Sequence, residues 1–154
     1  MTSETMALSL TLNGQTATVD VAPFDLLIDV LRDRVGLKGT KRSCDVEVCG
    51  ACTVLVDGLP VSSCTTLAAD VEGRAVTTIE GIAEAGVLSR VQQAFIDHGA
   101  LQCGFCTSGM VLATTALLEM NPAPTDAEIR HFLRGNICRC TGYIKIFEAV
   151  KSLV

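Results

Sequence analysis

The sequence predicts an α+β fold in which a small mixed sheet, crossed by one helix, is followed by a helical bundle. Asn13-Gly14 and Asp57-Gly58 each separate two short segments of apolar or alternating residues in the first half. Such pairs are the strongest local signal for a two-residue β-hairpin. The second half instead contains two Ser/Thr-x-x-Glu/Gln patterns, which start helices, so the two halves differ in secondary structure.

Local patterns define each element of the first half. Apolar and β-branched residues dominate or alternate in five predicted strands: residues 8–12, 16–21, 53–56, 59–62 and 75–79. Residues 26–34 have helical spacing, with Asp25 as the expected N-cap and Gly36 as the stop signal. A loop rich in glycine and cysteine, residues 38–52, connects this helix to the third strand.

Four helices are predicted in the second half. A capping box at residues 89–92 starts one helix, and a second box at residues 125–128 starts another that stops at Gly135. Apolar spacing predicts two more helices, over residues 109–120 and 143–153. Because the four helices are short and closely linked, we expect them to form a compact bundle.

The overall composition excludes some classes of protein. The chain has 154 residues and a net charge of −5 with a pI near 4.9, which argues against a nucleic-acid partner. The first residues lack the pattern of a secretion signal, and the longest apolar stretch, residues 110–118, is too short to span a bilayer. We therefore expect a cytoplasmic protein, whose cysteines bind metal more readily than they form disulfides.

The eight cysteines fall into two groups of four, one in each half. The first group, Cys44, Cys49, Cys52 and Cys64, has the spacing C-x4-C-x2-C followed by a cysteine after eleven further residues. This is the plant-type ferredoxin arrangement for a [2Fe–2S] cluster, whose two bridged irons need four thiolates. Gly50 leaves room for the backbone to approach the sulfides and to direct N–H groups at them.

The second group contains Cys103, Cys106, Cys138 and Cys140, with thirty-one residues between a C-x2-C pair and a C-x-C pair. Each pair precedes a predicted helix, and the N-terminus of a helix favours thiolates and an anionic cluster. The intervening residues accommodate a helix, a proline break and a returning helix. Such an antiparallel pair would bring the four cysteines together at a second [2Fe–2S] site.

Spacing alone leaves other interpretations of the cysteines open. Two structural zinc sites would also use four cysteines each, but such sites usually pair C-x2-C with a second C-x2–4-C, which neither group does. Disulfides need an oxidising compartment, and nothing in the sequence argues for one. Cysteines that were merely buried would not sort into two fours at these spacings.

Three segments resemble the iron–sulfur subunit of the molybdenum hydroxylases, the xanthine oxidase and carbon monoxide dehydrogenase family: residues 43–54, 101–107 and 135–143. The resemblance extends from about residue 8 to residue 153, and both cysteine patterns occur in the family's order. It implies two domains, a β-grasp ferredoxin-like [2Fe–2S] domain over residues 1–79 and a four-helix [2Fe–2S]-binding bundle over residues 80–154.

The resemblance also implies an enzyme that is assembled from several chains. In this family a large subunit holds molybdopterin, expected here as the cytosine dinucleotide, and a medium subunit holds FAD. Electrons pass from molybdenum to the bundle's cluster, then to the ferredoxin-type cluster, and then to FAD. The chain would be the electron-transfer small subunit of a molybdenum-dependent oxidoreductase, within a dimer of heterotrimers, and would carry out no substrate chemistry itself.

Roles for single residues follow from the same resemblance. All eight cysteines would be cluster ligands, Gln102 would hydrogen-bond the pterin, and the Cys140 thiolate would lie closest to the pterin. Where the family often has Cys-Thr-Pro-Gly, this chain has Ser108 in place of the proline. Because proline at the first helical position only fixes a backbone angle, the ligand assignment is unaffected.

Other polar residues have simpler explanations. We expect His98 at a helix end, where a cation-capable side chain favours the helix dipole, and His131 on a helix surface or at a subunit contact. Lys38, Lys41 and Arg42 form a basic patch beside the first cysteine loop. Both a solvated loop and a contact with a flavin subunit are open explanations for this patch.

Two functions of a different kind compete with an enzyme subunit: a free electron carrier with two clusters, and a structural zinc adaptor. The helical domain, with Gln102 beside Cys103, favours the enzyme subunit, because a simple carrier would not need this domain. The substrate of the assembled enzyme is open among carbon monoxide, purines, N-heterocycles, aldehydes and aromatic thioesters.

Overall fold

The first half folds around a five-stranded mixed sheet. The computed structural model describes residues 5–154, so the prediction about a secretion signal falls mainly on residues outside this range. The strands are β1 (Met6–Leu12), β2 (Gln15–Val21), β3 (Thr53–Val56), β4 (Leu59–Ser62) and β5 (Ala75–Thr77). Their order in the sheet is β2-β1-β5-β3-β4, in which β1 and β5 are parallel and the other neighbours are antiparallel.

Both predicted hairpins are confirmed. Asn13 and Gly14, with φ of 50° and 79°, connect β1 to β2, and Asp57 and Gly58, with φ of 50° and 81°, connect β3 to β4. Two consecutive residues with positive φ are typical of a type I′ turn, whose twist matches that of the strands. The Asp57 carboxylate also accepts the Ala75 N–H at 2.9 Å, which fixes this turn to β5.

The last strand is shorter than predicted, because β5 ends at Thr77 rather than at residue 79. The next residue, Thr78, forms hydrogen bonds with the Asn13 side chain. Its Oδ1 accepts the Thr78 N–H at 2.8 Å, and its Nδ2 donates to Thr78 Oγ1 at 3.0 Å. The chain then forms a 3-10 turn over Ile79–Gly81 and leaves the sheet.

One helix crosses the sheet, as predicted. It begins as α1 (Leu27–Asp29) and continues as a π-helical segment, Val30–Arg34. The stop signal at Gly36 is confirmed, since this glycine has a φ of 88° that side-chain-bearing residues rarely adopt. The buried residues of both helical pieces pack on the sheet and complete the core of the first half.

The prediction that Asp25 caps this helix is wrong. Leu26 occupies the N-cap position and forms no side-chain capping bond. The Asp25 carboxylate instead accepts the Ala22 N–H at 2.7 Å and forms an ion pair with Arg34. An N–H and a guanidinium together hold the carboxylate more strongly than the free N–H groups of a short helix would.

Four helices follow the sheet: α2 (Arg90–Asp97), α3 (Thr107–Met120), α4 (Asp126–Leu133) and α5 (Ile144–Lys151). Both capping boxes are confirmed, with Ser89 and Thr125 as the N-caps of α2 and α4. His98 is the C-cap of α2, and His131 lies exposed on α4, as predicted. Within residues 5–154, no helix is long and apolar enough to cross a membrane.

Three apolar clusters stabilise the first half, the second half and the contact between them. One fills the space between α1 and the sheet, and another lies among α2, α3, α4 and α5. A smaller cluster of Leu55, Leu112 and Ala116 lies between β3 and α3. Because α3 packs against helices on one side and against β3 on the other, it joins both halves into one packed unit.

Leu112→Ala should destabilise the chain as a whole, because Leu112 is buried between α3 and β3. Large-to-small changes at such sites cost about 2–5 kcal/mol. Urea denaturation followed by far-UV circular dichroism measures the loss. Leu59→Ala, at a residue that is 52% exposed, is the matched control and should change stability by less than about 0.5 kcal/mol. Equal effects of the two substitutions would contradict this packing.

Candidate metal centres

The first cysteine group lies where the long loop of residues 38–52 enters β3. Cys44 and Cys49 are half-buried in the loop, whereas Cys52 and Cys64 are buried beneath it. The β3–β4 hairpin returns the chain so that Cys64 lies against Cys52, and Ile28 of α1 packs on both. The structure therefore brings the four predicted residues of this group together at one end of the sheet.

Within this group the thiols lie in two pairs. Cys44 lies beside Cys49, and Cys52 lies beside Cys64. The two pairs are also neighbours, because Cys49 interacts electrostatically with Cys52. A cluster of two bridged irons needs this kind of arrangement, since each iron takes two of the four thiolates.

Backbone N–H groups surround the Cys44 sulfur. Three of them, the strongest being that of Val46, lower the pKa of Cys44 from 9.0 to about 6, and the Val48 N–H lies 3.4 Å from Sγ. The loop curls around the sulfur because Asp45 and Glu47 both have positive φ, of 57° and 59°. A concave row of N–H groups stabilises an anion, so this loop suits a thiolate bound to a negative cluster.

The second cysteine group lies between the start of α3 and the turn that precedes α5. Its thiols also lie in pairs: Cys140 Sγ lies 3.5 Å from Cys103 Sγ, and Cys106 lies beside Cys138. The first of these pairs is exposed, whereas Cys106 is half-buried and Cys138 is buried. This group therefore has an outer pair at the surface and an inner pair against the helical core.

Thr141 and Tyr143, which no sequence pattern predicted as site residues, hold Cys138 in place. Thr141 donates to Cys138 Sγ from its hydroxyl at 3.1 Å and from its N–H at 3.4 Å. Burial raises the pKa of Cys138, but these hydrogen bonds outweigh it and the pKa lies below 9.0. The Cys138 N–H donates to the Tyr143 hydroxyl at 3.0 Å. A threonine three residues after a cysteine is a local signal that could have identified this contact.

In each group, burial holds one thiol in its neutral form. Desolvation raises the pKa of Cys52 to about 11 and the pKa of Cys106 to about 12. The neighbouring sulfurs of Cys64 and Cys138 contribute in the same direction. Metal binding deprotonates such thiols outright, so bound iron would supply the positive charge that these buried positions lack.

Gly50, directly after Cys49, lies against the second half of the chain. It has a φ of 66°, and an added Cβ would lie 2.5 Å from both the Gly135 carbonyl oxygen and the Asn136 Nδ2. The neighbouring Cys49 carbonyl oxygen accepts the Ile137 N–H at 2.8 Å. The loop of the first cysteine group therefore touches the backbone that leads into the second group.

The residue expected at the pterin lies at the surface. Gln102 is exposed, and so are Cys103 and Cys140 beside it. Leu101 and Phe105 are also exposed on the same segment, although both are large and apolar. The outer sulfur pair is thus part of a surface that another molecule can reach.

The basic patch beside the first group is largely neutralised by local acids. Lys38 forms an ion pair with Asp33 at 2.9 Å, and Arg42 forms one with Asp45 at 3.1 Å. The Lys41 ammonium donates to the Lys38 carbonyl oxygen at 2.8 Å. These contacts explain the patch as part of the loop's own structure, and a contact with a flavin subunit stays a prediction.

Family models match both halves of the chain. A model described as "2Fe-2S iron-sulfur cluster binding domain" matches residues 14–91, and a model described as "[2Fe-2S] binding domain" matches residues 78–151. Together with the two cysteine groups, these matches define the chain as an iron–sulfur protein with two [2Fe–2S]-binding domains.

Known relatives narrow this class further. The nicotinate dehydrogenase small FeS subunit of Eubacterium barkeri is 46% identical over 149 residues, which are 97% of this chain and 95% of the relative. The xanthine dehydrogenase iron-sulfur-binding subunit of Escherichia coli O157:H7 is 49% identical over 150 residues, which are 96% and 94% of the two chains. A chain in the crystal structure of quinoline 2-oxidoreductase from Pseudomonas putida 86 superposes with a TM-score of 0.94 at 46% identity, covering 97% of this chain and 92% of that one.

The chain therefore belongs to the iron–sulfur subunits of the molybdenum hydroxylase family, as its motifs predicted. Members of this group are electron-transfer subunits of molybdenum-dependent oxidoreductases. The ferredoxin-like fold of the first half is confirmed by the superposition.

Gly50→Ala should weaken the contact between the two cysteine groups. A positive φ costs a residue with a side chain about 1–2 kcal/mol, and at Gly50 the added Cβ would also collide with Gly135 and Asn136. Gly58→Ala is the matched control, because Gly58 has a φ of 81° but nothing within 4 Å of an added Cβ. Urea denaturation should show a larger loss for Gly50→Ala, and equal losses would contradict the close approach.

Proposed function

We propose that the chain relays single electrons in a molybdenum hydroxylase, from molybdopterin on a large subunit, through two [2Fe–2S] clusters, to FAD on a medium subunit. The observation that carries this proposal is the gathering of the eight cysteines at two places in the fold, four at each. A bound [2Fe–2S] cluster exchanges one electron at a time and leaves substrate chemistry to other cofactors. The chain's own residues bind, bury and hydrogen-bond the two centres.

We assign all eight cysteines as ligands, with one sulfur pair for each iron. Neighbouring cysteines define the pairs: Cys44–Cys49, Cys52–Cys64, Cys103–Cys140 and Cys106–Cys138. The N–H groups around Cys44 and the donors of Thr141 stabilise negative charge on the bound thiolates. Burial of Cys52, Cys64 and Cys138 would limit the access of water to bound clusters.

The outer pair of the second group is the side that we assign to molybdopterin. The Cys140 thiolate would lie closest to the pterin, and Gln102 would hydrogen-bond it. Exposure supports this assignment, because Gln102, Cys103 and Cys140 all lie at the surface. The exposed apolar side chains of Leu101 and Phe105 beside them suit a surface that a large subunit covers.

The first group is the side that we assign to the flavin. Its loop exposes 64% of Val46 and 58% of Val48, two apolar side chains beside the half-buried pair of Cys44 and Cys49. Apolar residues at the tip of a charged loop are typical of a surface that a partner covers. A medium subunit that holds FAD would bring its cofactor close to this pair.

The remaining assignments follow from family membership. We propose a β-grasp ferredoxin-like domain over residues 1–79 and a four-helix bundle over residues 80–154, which the contacts of α2 and α4 with both α3 and α5 support. The relatives are named as subunits of dehydrogenases, and we propose a dimer of heterotrimers with molybdopterin cytosine dinucleotide. A reducing cytoplasm would keep the free thiols available for cluster assembly.

Isolated without oxygen, the chain should contain about four irons, two for each four-cysteine site. Reduction should give two distinct EPR signals. Cys52→Ala should remove about two irons and one signal, and Cys106→Ala should remove the other signal, because each change breaks one ligand set. Ser63→Ala is the matched control: its buried hydroxyl bonds the Cys52 carbonyl oxygen at 2.7 Å and is not a ligand.

Three results would contradict parts of this proposal. Zinc in place of iron, without an EPR signal on reduction, would support the structural adaptor instead. Loss of both signals from either cysteine variant would contradict two separate ligand sets. Full iron content in a chain that natively purifies without larger subunits would favour a free electron carrier.

Thr141→Val should lower the reduction potential of the second cluster, because hydrogen bonds to sulfur stabilise the extra negative charge of the reduced state. A hydrogen bond contributes about 0.5–1.5 kcal/mol, which corresponds to a shift of tens of millivolts for one electron. Thr141→Ser, which keeps the hydroxyl donor, should leave the potential near its original value. An EPR-monitored redox titration measures both, and a potential that is unchanged in Thr141→Val would refute the role of this hydroxyl.

A further inference from the structure

The two cysteine groups are connected by one short backbone contact. Ile137 directly precedes Cys138, and its N–H donates to the carbonyl oxygen of Cys49 at 2.8 Å. Cys49 and Cys138 belong to different groups, so a route from one sulfur to the other runs through covalent bonds and a single hydrogen bond. The strength of the connection between the groups therefore depends on how firmly this hydrogen bond is held.

Asn136, the residue before Ile137, holds the contact from the side. Its buried side chain donates from Nδ2 to the Gly50 carbonyl oxygen at 3.0 Å and to Thr53 Oγ1 at 3.3 Å. The Thr53 hydroxyl in turn donates to the same carbonyl oxygen at 2.7 Å. Two adjacent residues of one half thus bind two adjacent carbonyl groups of the other half.

Glycines on both sides allow the backbones to come this close. An added Cβ at Gly109, in the first turns of α3, would lie 2.1 Å from the Gly50 carbonyl oxygen. An added Cβ at Gly50 would lie 2.5 Å from Asn136 Nδ2. Since side chains at either glycine would separate the segments, the junction is packed around the Asn136 amide.

We infer that Asn136 is a positioning residue for electron transfer between the two clusters, because it fixes the Cys49 carbonyl group against the Ile137 N–H. The inference rests on the proposed function. In this transfer one electron leaves one centre, which is oxidised, and enters the other, which is reduced, while no covalent bond forms or breaks. Electronic coupling weakens steeply when a gap in the route widens, so a firmly held hydrogen bond favours rapid exchange.

The chemistry of this position requires an amide. Both neighbours of the Asn136 side chain, a carbonyl oxygen and a hydroxyl oxygen, accept its N–H groups. Leucine has nearly the same size but no donor, so it would leave the Gly50 carbonyl oxygen without this partner. Thr53→Val removes the neighbouring hydroxyl with little change of shape, and Thr53→Ser keeps it.

The test uses the assembled holoenzyme with Asn136→Leu and records EPR spectra with one or both clusters reduced. The variant should keep four irons and two separate signals, but lose the splitting that arises when two reduced clusters interact. Thr53→Val should lose part of the splitting, and Thr53→Ser should retain it. Thr114→Val, which removes a buried hydroxyl without a partner in α3, is the control and should retain it fully.

The outcomes separate this inference from the proposed function. Unchanged splitting in Asn136→Leu and Thr53→Val, even with reduced thermal stability, overturns the positioning role and leaves the electron relay intact. A wild-type enzyme with two signals but no splitting overturns it as well. If Asn136→Leu does not assemble, the difference between Thr53→Val and Thr53→Ser decides. A wild-type chain without two clusters refutes the proposed function itself.

Discussion

Four sulfurs must come together at each of two places, and this requirement constrains the arrangement of the elements of this chain. The long loop supplies three sulfurs of the first group, the last of them directly before β3, and the type I′ turn at Asp57-Gly58 returns the chain to the fourth. In the second group, α3, α4 and the break between them bring back the residues that lead to Cys138. Each half has a small apolar core, and small cores gain stability from a bound metal centre. Bound clusters would therefore stabilise both halves of the fold.

The surroundings of the sulfurs divide between stabilising negative charge and excluding water. Cys44 is surrounded by N–H groups, and that arrangement uses two side-chain-bearing residues with positive φ. Such conformations cost about 1–2 kcal/mol each, a cost that interaction of the N–H groups with an anion offsets. Cys52 and Cys106 instead lie in apolar surroundings that disfavour a thiolate. A positively charged metal bound at each site would favour the thiolate form in both kinds of surroundings.

Local patterns predicted the parts of the structure that depend on near neighbours. Both type I′ hairpins and both capping boxes follow from residues within a few positions of each other. The errors lie where a distant group decides the outcome. Asp25 does not cap the helix because its carboxylate pairs with Arg34. The strand β5 ends early because the Asn13 side chain binds Thr78. The role of Asn136 was equally inaccessible, since its partners lie more than eighty positions earlier in the sequence.

The contact between the halves follows from this same difference between local and distant constraints. Each cysteine group could form within its own half, yet α3 packs on β3 and the Cys49 loop is bound by the residues before Cys138. Separate domains joined by a flexible linker would leave the distance between two redox centres variable. Close backbone contact at Gly50 and Gly109 leaves no space for a side chain at either residue, so the halves are held at one fixed separation. A chain that passes electrons between two internal centres needs that fixed separation. If the gap varied, the rate of electron exchange would depend on how often the two centres came close together.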